Sequence, residues 1–194
     1  MLSDEGVKVL RQILDRNTKY FRASDRQPTY MRGLAYTSKF IRALNEHPRV
    51  LELVSKYAGQ PVVPHYLPMN YAHTNIGRLP KQNEVNTRPV DQWHADSVPF
   101  VLIIILSDLT GMVGGELECV KRSNKDAGFA LIEATKNNVP PEDLLQVSYQ
   151  KQGYALFMQG TEIVHHVKPV QQVRRNSVRC LGQSVHSHCH PCDR

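Results

Sequence analysis

From Gly59 onwards the sequence breaks into short extended runs separated by proline and glycine, and this pattern restricts the fold more than any other feature. The runs cover residues 62–63, 66–76, 98–106, 116–120, 153–158 and 163–170. Several short strands with turn residues between them are typical of an all-β sandwich or barrel. One helix is predicted to interrupt the strands at 128–138, and residues 140–143 resemble the start of another helix.

The first sixty residues have a helical pattern instead. Ser3 is a predicted N-cap, and the apolar residues that follow it have helical spacing, which predicts an amphipathic helix ending near Arg16. Residues 38–44 can form a short helix, and a stronger helix is predicted to begin at Pro48 and to stop at Gly59. We interpret this part as packing scaffold, since no motif with obvious chemistry occurs in it.

The chain of 194 residues is long enough for one hydrophobic core, and no break in composition marks a second domain. We therefore expect one domain over 1–182, with a helical part at 1–60, a β core at 61–182 and a disordered tail rich in His and Cys at 183–194. The longest apolar run, 100–106, is too short to cross a bilayer, so no membrane partner is expected. Acidic residues near the N-terminus do not fit a secretory signal, which predicts an intracellular, cytoplasmic protein with reduced thiols.

The chain carries 24 basic and 18 acidic side chains, a net charge of +6. Such a balance can attract nucleic acid, because Lys and Arg neutralise phosphates. In the first quarter of the chain, however, the basic residues are interleaved with acidic ones, as expected for the solvent-facing side of helices. Nucleic acid is therefore not the expected partner.

The motif with the clearest chemistry is His94-Ala95-Asp96, at the head of the apolar run. Side chains two apart on a strand point to the same side, so His94 and Asp96 can converge on a metal ion. Taken alone, the motif is a weak signal, and a hydrogen-bonded pair without metal is its default interpretation. A second histidine comes from His165 or His166 further along. Two imidazoles and one carboxylate form the facial triad of non-haem Fe(II) oxygenases.

These motifs, taken in order, resemble the Fe(II)/2-oxoglutarate-dependent dioxygenases over roughly residues 60 to 180. The shared features are the His-x-Asp pair, a Gly-Gly-Glu turn at 114–116, a glycine-led strand at 153–157, a distal histidine followed by Pro169-Val170, and a basic residue ten positions after that histidine. The helical N-terminal part is similar to that of hydroxylases of the phytanoyl-CoA and prolyl hydroxylase type. The resemblance implies a mainly β fold, a double-stranded β-helix of the jelly-roll or cupin type, with the N-terminal helices packed on it.

The resemblance also assigns the site residues. It implies Fe(II) ligation by His94, Asp96 and His165, while His166 faces the other side of its strand. It further implies that the co-substrate 2-oxoglutarate is held by Arg175 and Ser177, with Tyr71 as a third contact. For Tyr71 the residues leave another interpretation open, an edge strand whose polar side meets water.

The implied activity is hydroxylation of a C–H bond with release of succinate and CO2. The expected partners are dioxygen and a small-molecule or peptide substrate. Two alternatives remain: oxidative demethylation of nucleic acid or protein, which the net charge would favour, and a metal-binding module without catalytic activity. The last gains weight because little sequence follows Ser177, as expected of a chain truncated at its C-terminus.

Overall fold

The computed structural model describes residues 2–77, 85–147, 151–172 and, for the backbone alone, 182–188. Four of its five described α-helices lie in the first sixty residues. They are α1 (Asp4–Arg16), α2 (Leu34–Thr37), α3 (Lys39–Asn45), α4 (Pro48–Ala58) and, later in the chain, α5 (Lys125–Ala134). The predicted helices α1, α3 and α4 are confirmed, and the Ser3 hydroxyl accepts a hydrogen bond from the Gly6 amide as an N-cap.

The rest of the described chain consists mainly of short strands. They are β1 (Tyr30–Met31), β2 (Val63–Pro64), β3 (His73–Asn75), β4 (Asp91–His94), β5 (Phe100–Ile104), β6 (Val113–Gly114), β7 (Leu117–Val120), β8 (Leu144–Val147), β9 (Ala155–Gln159), β10 (His165–Val167), β11 (Val170–Gln172) and β12 (Gly182–His188). All their pairings are antiparallel.

Three sheets are formed by these strands. The largest has the order β1-β3-β12-β5-β9, with β2 paired to the far end of β12. A second sheet has the order β4-β10-β7-β8, and β11 pairs with β6 in a third. The second sheet matters most for function, because β4 and β10 carry the histidines that the sequence singled out.

The N-terminal helices pack directly on the large sheet. Val7, Leu10 and Leu14 form the buried side of α1, and they join a core cluster that includes Ile104 of β5 and Leu106 just after it. Burial of such side chains stabilises the domain by roughly 1.5–3 kcal/mol each. The mainly β core with helices packed on it, predicted from sequence, is confirmed at this level. The finer prediction, a double-stranded β-helix, stays a prediction.

Some element boundaries differ from the sequence-based expectation. The predicted helix start at 140–143 is a single 3-10 turn, Pro141–Asp143, which leads into β8. The predicted strand at 163–170 is divided into β10 and β11, because Pro169 has no amide hydrogen to donate to a ladder. Helix α5 begins at Lys125, where the Asn124 side chain accepts a hydrogen bond from the Ala127 amide.

The tail requires a correction over part of its length. Residues 183–188, expected to be disordered, belong to β12, whose backbone pairs with β5 on one side and with β3 and β2 on the other. The reason is geometric: the strand fills the position between β3 and β5, which then need not leave their edges unpaired. Separately, none of the helices in the described ranges has both the length and the apolar character that crossing a membrane requires.

Candidate metal centre

Strands β4 and β10 place two histidines opposite each other. His94 and His165 are register partners in the antiparallel pair, and the centroids of their rings lie 4.2 Å apart. Asp96 follows β4 directly. One potential ligand atom from each of these three residues lies within 4.8 Å of the others. The structure therefore brings together the three residues for which the sequence predicted metal ligation.

The distances within this group fit a single ion. His94 Nε2 lies 3.6 Å from Asp96 Oδ1, and His165 Nε2 lies 3.7 Å from Asp96 Oδ2. Two atoms that each bind one first-row metal ion at about 2.1 Å are at most about 4.2 Å apart. Both distances are below that limit, and the ligand atoms of all three residues lie within 4.8 Å of one another, so the three side chains can share one divalent ion once they move closer together.

The orientation of both imidazoles suits metal binding as well. His94 Nδ1 lies 2.7 Å from the Gln92 carbonyl oxygen, and His165 Nδ1 lies 2.9 Å from the Ile163 carbonyl oxygen. Because a carbonyl only accepts, Nδ1 is the protonated nitrogen in each ring of the neutral form. The Nε2 lone pairs then face the shared centre, the arrangement in which backbone carbonyls hold metal-binding histidines.

The backbone around Asp96 is held by the neighbouring strand end. The Asp96 amide donates to the Gly160 carbonyl at 2.8 Å, and the Gly160 amide donates to the Pro99 carbonyl at 2.9 Å. Gly160 follows β9, so the carboxylate is positioned by a turn of the large sheet, whereas the two imidazoles come from the second sheet. The centre therefore lies where the two sheets meet.

Burial and charge act differently on the two histidines. Burial lowers the pKa of His165 to about 4, and the charge of His94 acts in the same direction. Burial also opposes protonation of His94, but the hydrogen bond to Asp96 and the charge of Asp91 outweigh it and raise its pKa. The shifts therefore have opposite directions: His94 binds a proton more readily than an ordinary histidine, and His165 less readily.

The three residues line one side of a cavity, with about 60 Å³ open to water-sized molecules. Much of the remaining wall is apolar. It consists of side chains on or next to β5, β7 and β10, namely Val101, Ile103, Ile105, Leu117 and Val167. The sequence analysis did not anticipate the polar part of the wall, which consists of Arg26, Gln27, His73, Asn75 and Asp91. Two of these residues come from the N-terminal part, which is therefore more than packing scaffold.

Asp91 is the centre of this polar wall and is 1% exposed. Its Oδ2 accepts hydrogen bonds from Gln27 Nε2 at 2.8 Å and from Asn75 Nδ2 at 2.9 Å. Arg26 Nε lies 3.0 Å from Oδ1, and His94 Nε2 lies 3.7 Å from Oδ2. Burial raises the pKa of Asp91, and the charges of His94 and Arg26 oppose that rise.

A bulge explains why Asp91 and His94 face the same cavity although they are three residues apart. On β10 the partners His165 and Val167 are two residues apart, whereas their partners on β4, His94 and Asp91, are three apart. The extra residue on β4 breaks the strict alternation of side chains. The residues between Asp91 and His94 are Gln92 and Trp93, and their identities alone do not indicate a bulge.

Tyr71 lies away from the cavity. It is buried in the core cluster with Met31 and Leu34, and burial and the neighbouring Glu46 raise its pKa. The reason is the backbone: Tyr71 closes a 3-10 turn, and Ala72 has a φ of 53°. The alternation that the sequence analysis assumed for this segment does not hold there. Of this segment, His73 and Asn75 line the cavity instead.

His166 lies on the outer side of β10, as expected. Its Nε2 is 2.9 Å from Glu118 Oε2, and its ring stacks on Trp93 with a centroid distance of 3.8 Å. The two strands that carry His94 and His165 on the cavity side are thus held together on the other side by Trp93 and His166. Of the other predicted residues, Arg175 and Ser177 lie outside the part of the chain that the structure describes.

Comparisons with known proteins agree with this geometry. A family model described as HalD, Halogenase D, matches residues 1–185. No curated protein matches the sequence. Among solved structures, the non-heme alpha ketoglutarate dependent carbocyclase SnoK from nogalamycin biosynthesis is 14% identical with a TM-score of 0.64, and the match covers 96% of this chain and 76% of SnoK.

A second solved structure is the non-heme alpha ketoglutarate dependent epimerase SnoN from the same biosynthesis. It is 16% identical with a TM-score of 0.60, and the match covers 96% of this chain and 75% of SnoN. SnoN has also been solved in complex with Fe3+, alpha ketoglutarate and nogalamycin RO, and that structure matches with a TM-score of 0.59 at 15% identity. At these identities the likeness establishes a shared fold.

Proposed function

Because the chain belongs to the halogenase D family, we propose that it is an Fe(II)- and 2-oxoglutarate-dependent oxygenase that hydroxylates a C–H bond of a small organic molecule. The observation that carries this proposal is the convergence of His94, Asp96 and His165 at one buried point. Two imidazoles and one carboxylate on one side of an ion are the donor set of non-haem Fe(II) oxygenases.

The chemistry comes from the metal and the co-substrate. When bound, Fe(II) and 2-oxoglutarate activate dioxygen: one oxygen atom enters the C–H bond as a hydroxyl, the other enters succinate, and CO2 leaves. The protein contributes orientation and exclusion of water. The Gln92 and Ile163 carbonyls hold the imidazoles, and the apolar wall with Val101 and Ile103 shields the reacting carbon from solvent.

Asp96 favours oxygen transfer over halogenation, although the family is described as halogenases. A six-coordinate ion with three protein ligands has three positions left. A 2-oxoglutarate bound through its keto acid would use two of them, and dioxygen would need the last. A halide would therefore need the position that the Asp96 carboxylate would hold in this chain.

The cavity also favours a small substrate over a nucleic acid. Its described wall is largely apolar, and Arg26 is the only Lys or Arg side chain among the described residues that line it. Recognition of a phosphate backbone requires several cations along a groove. Demethylation of nucleic acid is therefore the weaker alternative. Arg175 and Ser177 remain the proposed contacts for 2-oxoglutarate from the sequence resemblance.

The direct test is succinate formation from 2-oxoglutarate by the purified chain with Fe(II) and dioxygen, measured by mass spectrometry. The Asp96→Ala variant is expected to lose it by at least about 100-fold, since it removes a metal ligand. Asp126→Ala is the matched control, because Asp126 is an exposed carboxylate in the first turn of α5. It should leave succinate formation unchanged.

Two results would count against this function. If the wild-type chain binds Fe(II) and forms no succinate, the chain is a metal-binding module without this catalytic activity. If a chloride-containing reaction yields a chlorinated product, the argument from Asp96 fails. Succinate can be measured without knowing the natural substrate, whereas a chlorinated product requires a substrate, so both reactions are run with a mixture of small organic molecules and the products are read by mass spectrometry.

A further inference from the structure

Arg26 enters the cavity from a loop that is held firmly against β4. The Gln92 amide donates to the Arg26 carbonyl at 3.2 Å, and the Gln92 side chain donates to the Asp25 carbonyl at 2.9 Å. Arg88 Nη2 adds a hydrogen bond to the Ser24 carbonyl at 3.0 Å. These contacts fix the loop backbone and thereby hold Arg26 at the cavity wall.

The side chain of Arg26 is oriented by Asp91. Nε of Arg26 lies 3.0 Å from Asp91 Oδ1, and the Asp91 carboxylate is held in turn by Gln27 and Asn75. Gln27 Nε2 also donates to Asn75 Oδ1 at 2.9 Å, which closes the network. Within the described ranges, neither Nη group of Arg26 forms a hydrogen bond with the protein. The guanidinium is thus anchored on its Nε side while its two terminal nitrogens remain available.

We propose that Arg26, oriented by Asp91, is a carboxylate-binding residue of this cavity. The inference rests on the proposed function, because it concerns a ligand of the same cavity. A guanidinium presents two parallel N–H donors that match the two oxygens of a carboxylate. An arginine fixed through Nε can offer that pair without first losing the freedom of a long side chain.

The charge around the cavity agrees with an anionic ligand. The described wall has the carboxylates of Asp91 and Asp96 and the guanidinium of Arg26. A bound divalent ion and Arg26 together exceed the two carboxylates by one positive charge. The same cavity is also lined by apolar side chains, including Ile103 and Leu117, which can pack against a carbon skeleton. The combination fits a small organic acid.

The carboxylate can come from two sources, the distal carboxylate of 2-oxoglutarate or a carboxylate of the substrate. The experiment separates them with two ligand pairs. The first pair is 2-oxoglutarate and 2-oxopentanoate, which has the same chain length without the distal carboxylate. The second pair is hexanoate and hexanol, offered to the protein already loaded with metal and 2-oxoglutarate. Mn(II) serves as the metal, so that binding is measured without turnover.

Binding is followed by the fluorescence of Trp93, the single tryptophan of the sequence, and by calorimetry. The variants are Arg26→Gln, which removes the charge, and Arg26→Lys, which keeps the charge but loses the planar pair of donors. Arg88→Gln is the matched control, because Arg88 binds the same loop but does not line the cavity. Thermal melting shows whether each variant is folded. If Arg26→Gln does not fold, Arg26→Lys still tests the proposal.

Loss of a charged hydrogen-bonding partner is expected to weaken binding about 10- to 100-fold. If Arg26→Gln weakens 2-oxoglutarate and spares 2-oxopentanoate, the proposal holds and the ligand is the co-substrate. If it spares both and weakens hexanoate relative to hexanol, the proposal holds and the ligand is the substrate. If folded Arg26 variants bind all four ligands as the wild type does, the proposal is overturned. A wild-type chain that binds neither Mn(II) nor 2-oxoglutarate contradicts the proposed function itself.

Discussion

Gly160 lies so close to Asp96 that there is no room for a side chain between them. A Cβ on Gly160 would come within 2.6 Å of the Val98 carbonyl oxygen, 2.8 Å of the Asp96 Cβ and 3.1 Å of the Asp96 Oδ2. The same two residues are joined by the hydrogen bond from the Asp96 amide to the Gly160 carbonyl. Gly160 thus sets the position of the only carboxylate among the three proposed metal ligands.

We therefore expect Gly160→Ala to weaken metal binding although it removes no ligand. The added methyl group displaces the carboxylate, and disturbed support of a ligand typically costs about 10- to 100-fold in metal affinity. Calorimetric titration with Mn(II) measures the change. Gly59→Ala is the control: Gly59 has a positive φ of 69° but no atom within 4 Å of the added Cβ, so it should lower stability and leave affinity intact. Equal affinities in all three proteins would refute the role of Gly160.

His165 and His166 provide a matched pair of adjacent residues on opposite sides of β10. His165→Ala removes a proposed ligand, so metal affinity should fall by at least about 100-fold and the stabilisation that metal gives the protein should disappear. His166→Ala removes the contacts with Glu118 and Trp93 instead, which should cost about 1–3 kcal/mol of folding stability. Melting curves with and without Mn(II) measure both effects. A variant at His166 that loses the metal-induced shift in Tm would contradict the assignment.

The meeting of the three proposed metal ligands could be predicted from the sequence because each residue belongs to a short-range pattern. Alternation along a strand places His94 and Asp96 on one side, and it separates His165 from His166. The order of the motifs then links the two segments. These rules hold where the backbone is regular, and the helices with clear caps, such as α1, follow from equally local patterns.

The polar wall could not be predicted in this way. Gln27 and Asp91 are 64 positions apart and meet only because a loop is held against β4. The bulge in β4 and the positive φ of Ala72 then break the alternation at two points. For Tyr71, strict alternation of side chains along a strand therefore predicts the wrong side, because the structure places Tyr71 in the core cluster and not at the cavity. The sequence pattern cannot predict these features, because they depend on contacts between residues far apart in the chain and on local departures from regular strand geometry.

Cys119 is expected to resist alkylation in the folded protein. It lies on β7 in a buried cluster, and burial, with the neighbouring charge of Glu118, raises its pKa to about 11. Only the thiolate reacts, so at pH 8 the folded protein presents the protonated thiol. Its reaction rate should increase as the pH rises towards 11 and increase sharply on unfolding at constant pH. Alkylation by iodoacetamide, read out by mass spectrometry of the Cys119 peptide, measures both. Rapid labelling at pH 8 without denaturant would contradict the buried position.

Gly114 is expected to be indispensable for the turn that leads into β7. Its φ is 78°, and an added Cβ would overlap the Pro169 carbonyl oxygen, which accepts a hydrogen bond from the Gly115 amide. Neither group can move easily, since both are backbone, so Gly114→Ala should lower the free energy of unfolding by at least about 2 kcal/mol. Gly33→Ala separates the effect of the positive φ from the effect of the close contact. Gly33 has a similar φ of 75°, and the atom nearest to its added Cβ would lie 3.6 Å away. It should cost only about 1 kcal/mol, the penalty of the backbone conformation alone. Urea unfolding of the three proteins measures the difference, and equal losses in the two variants would mean that the contact with Pro169 is unimportant.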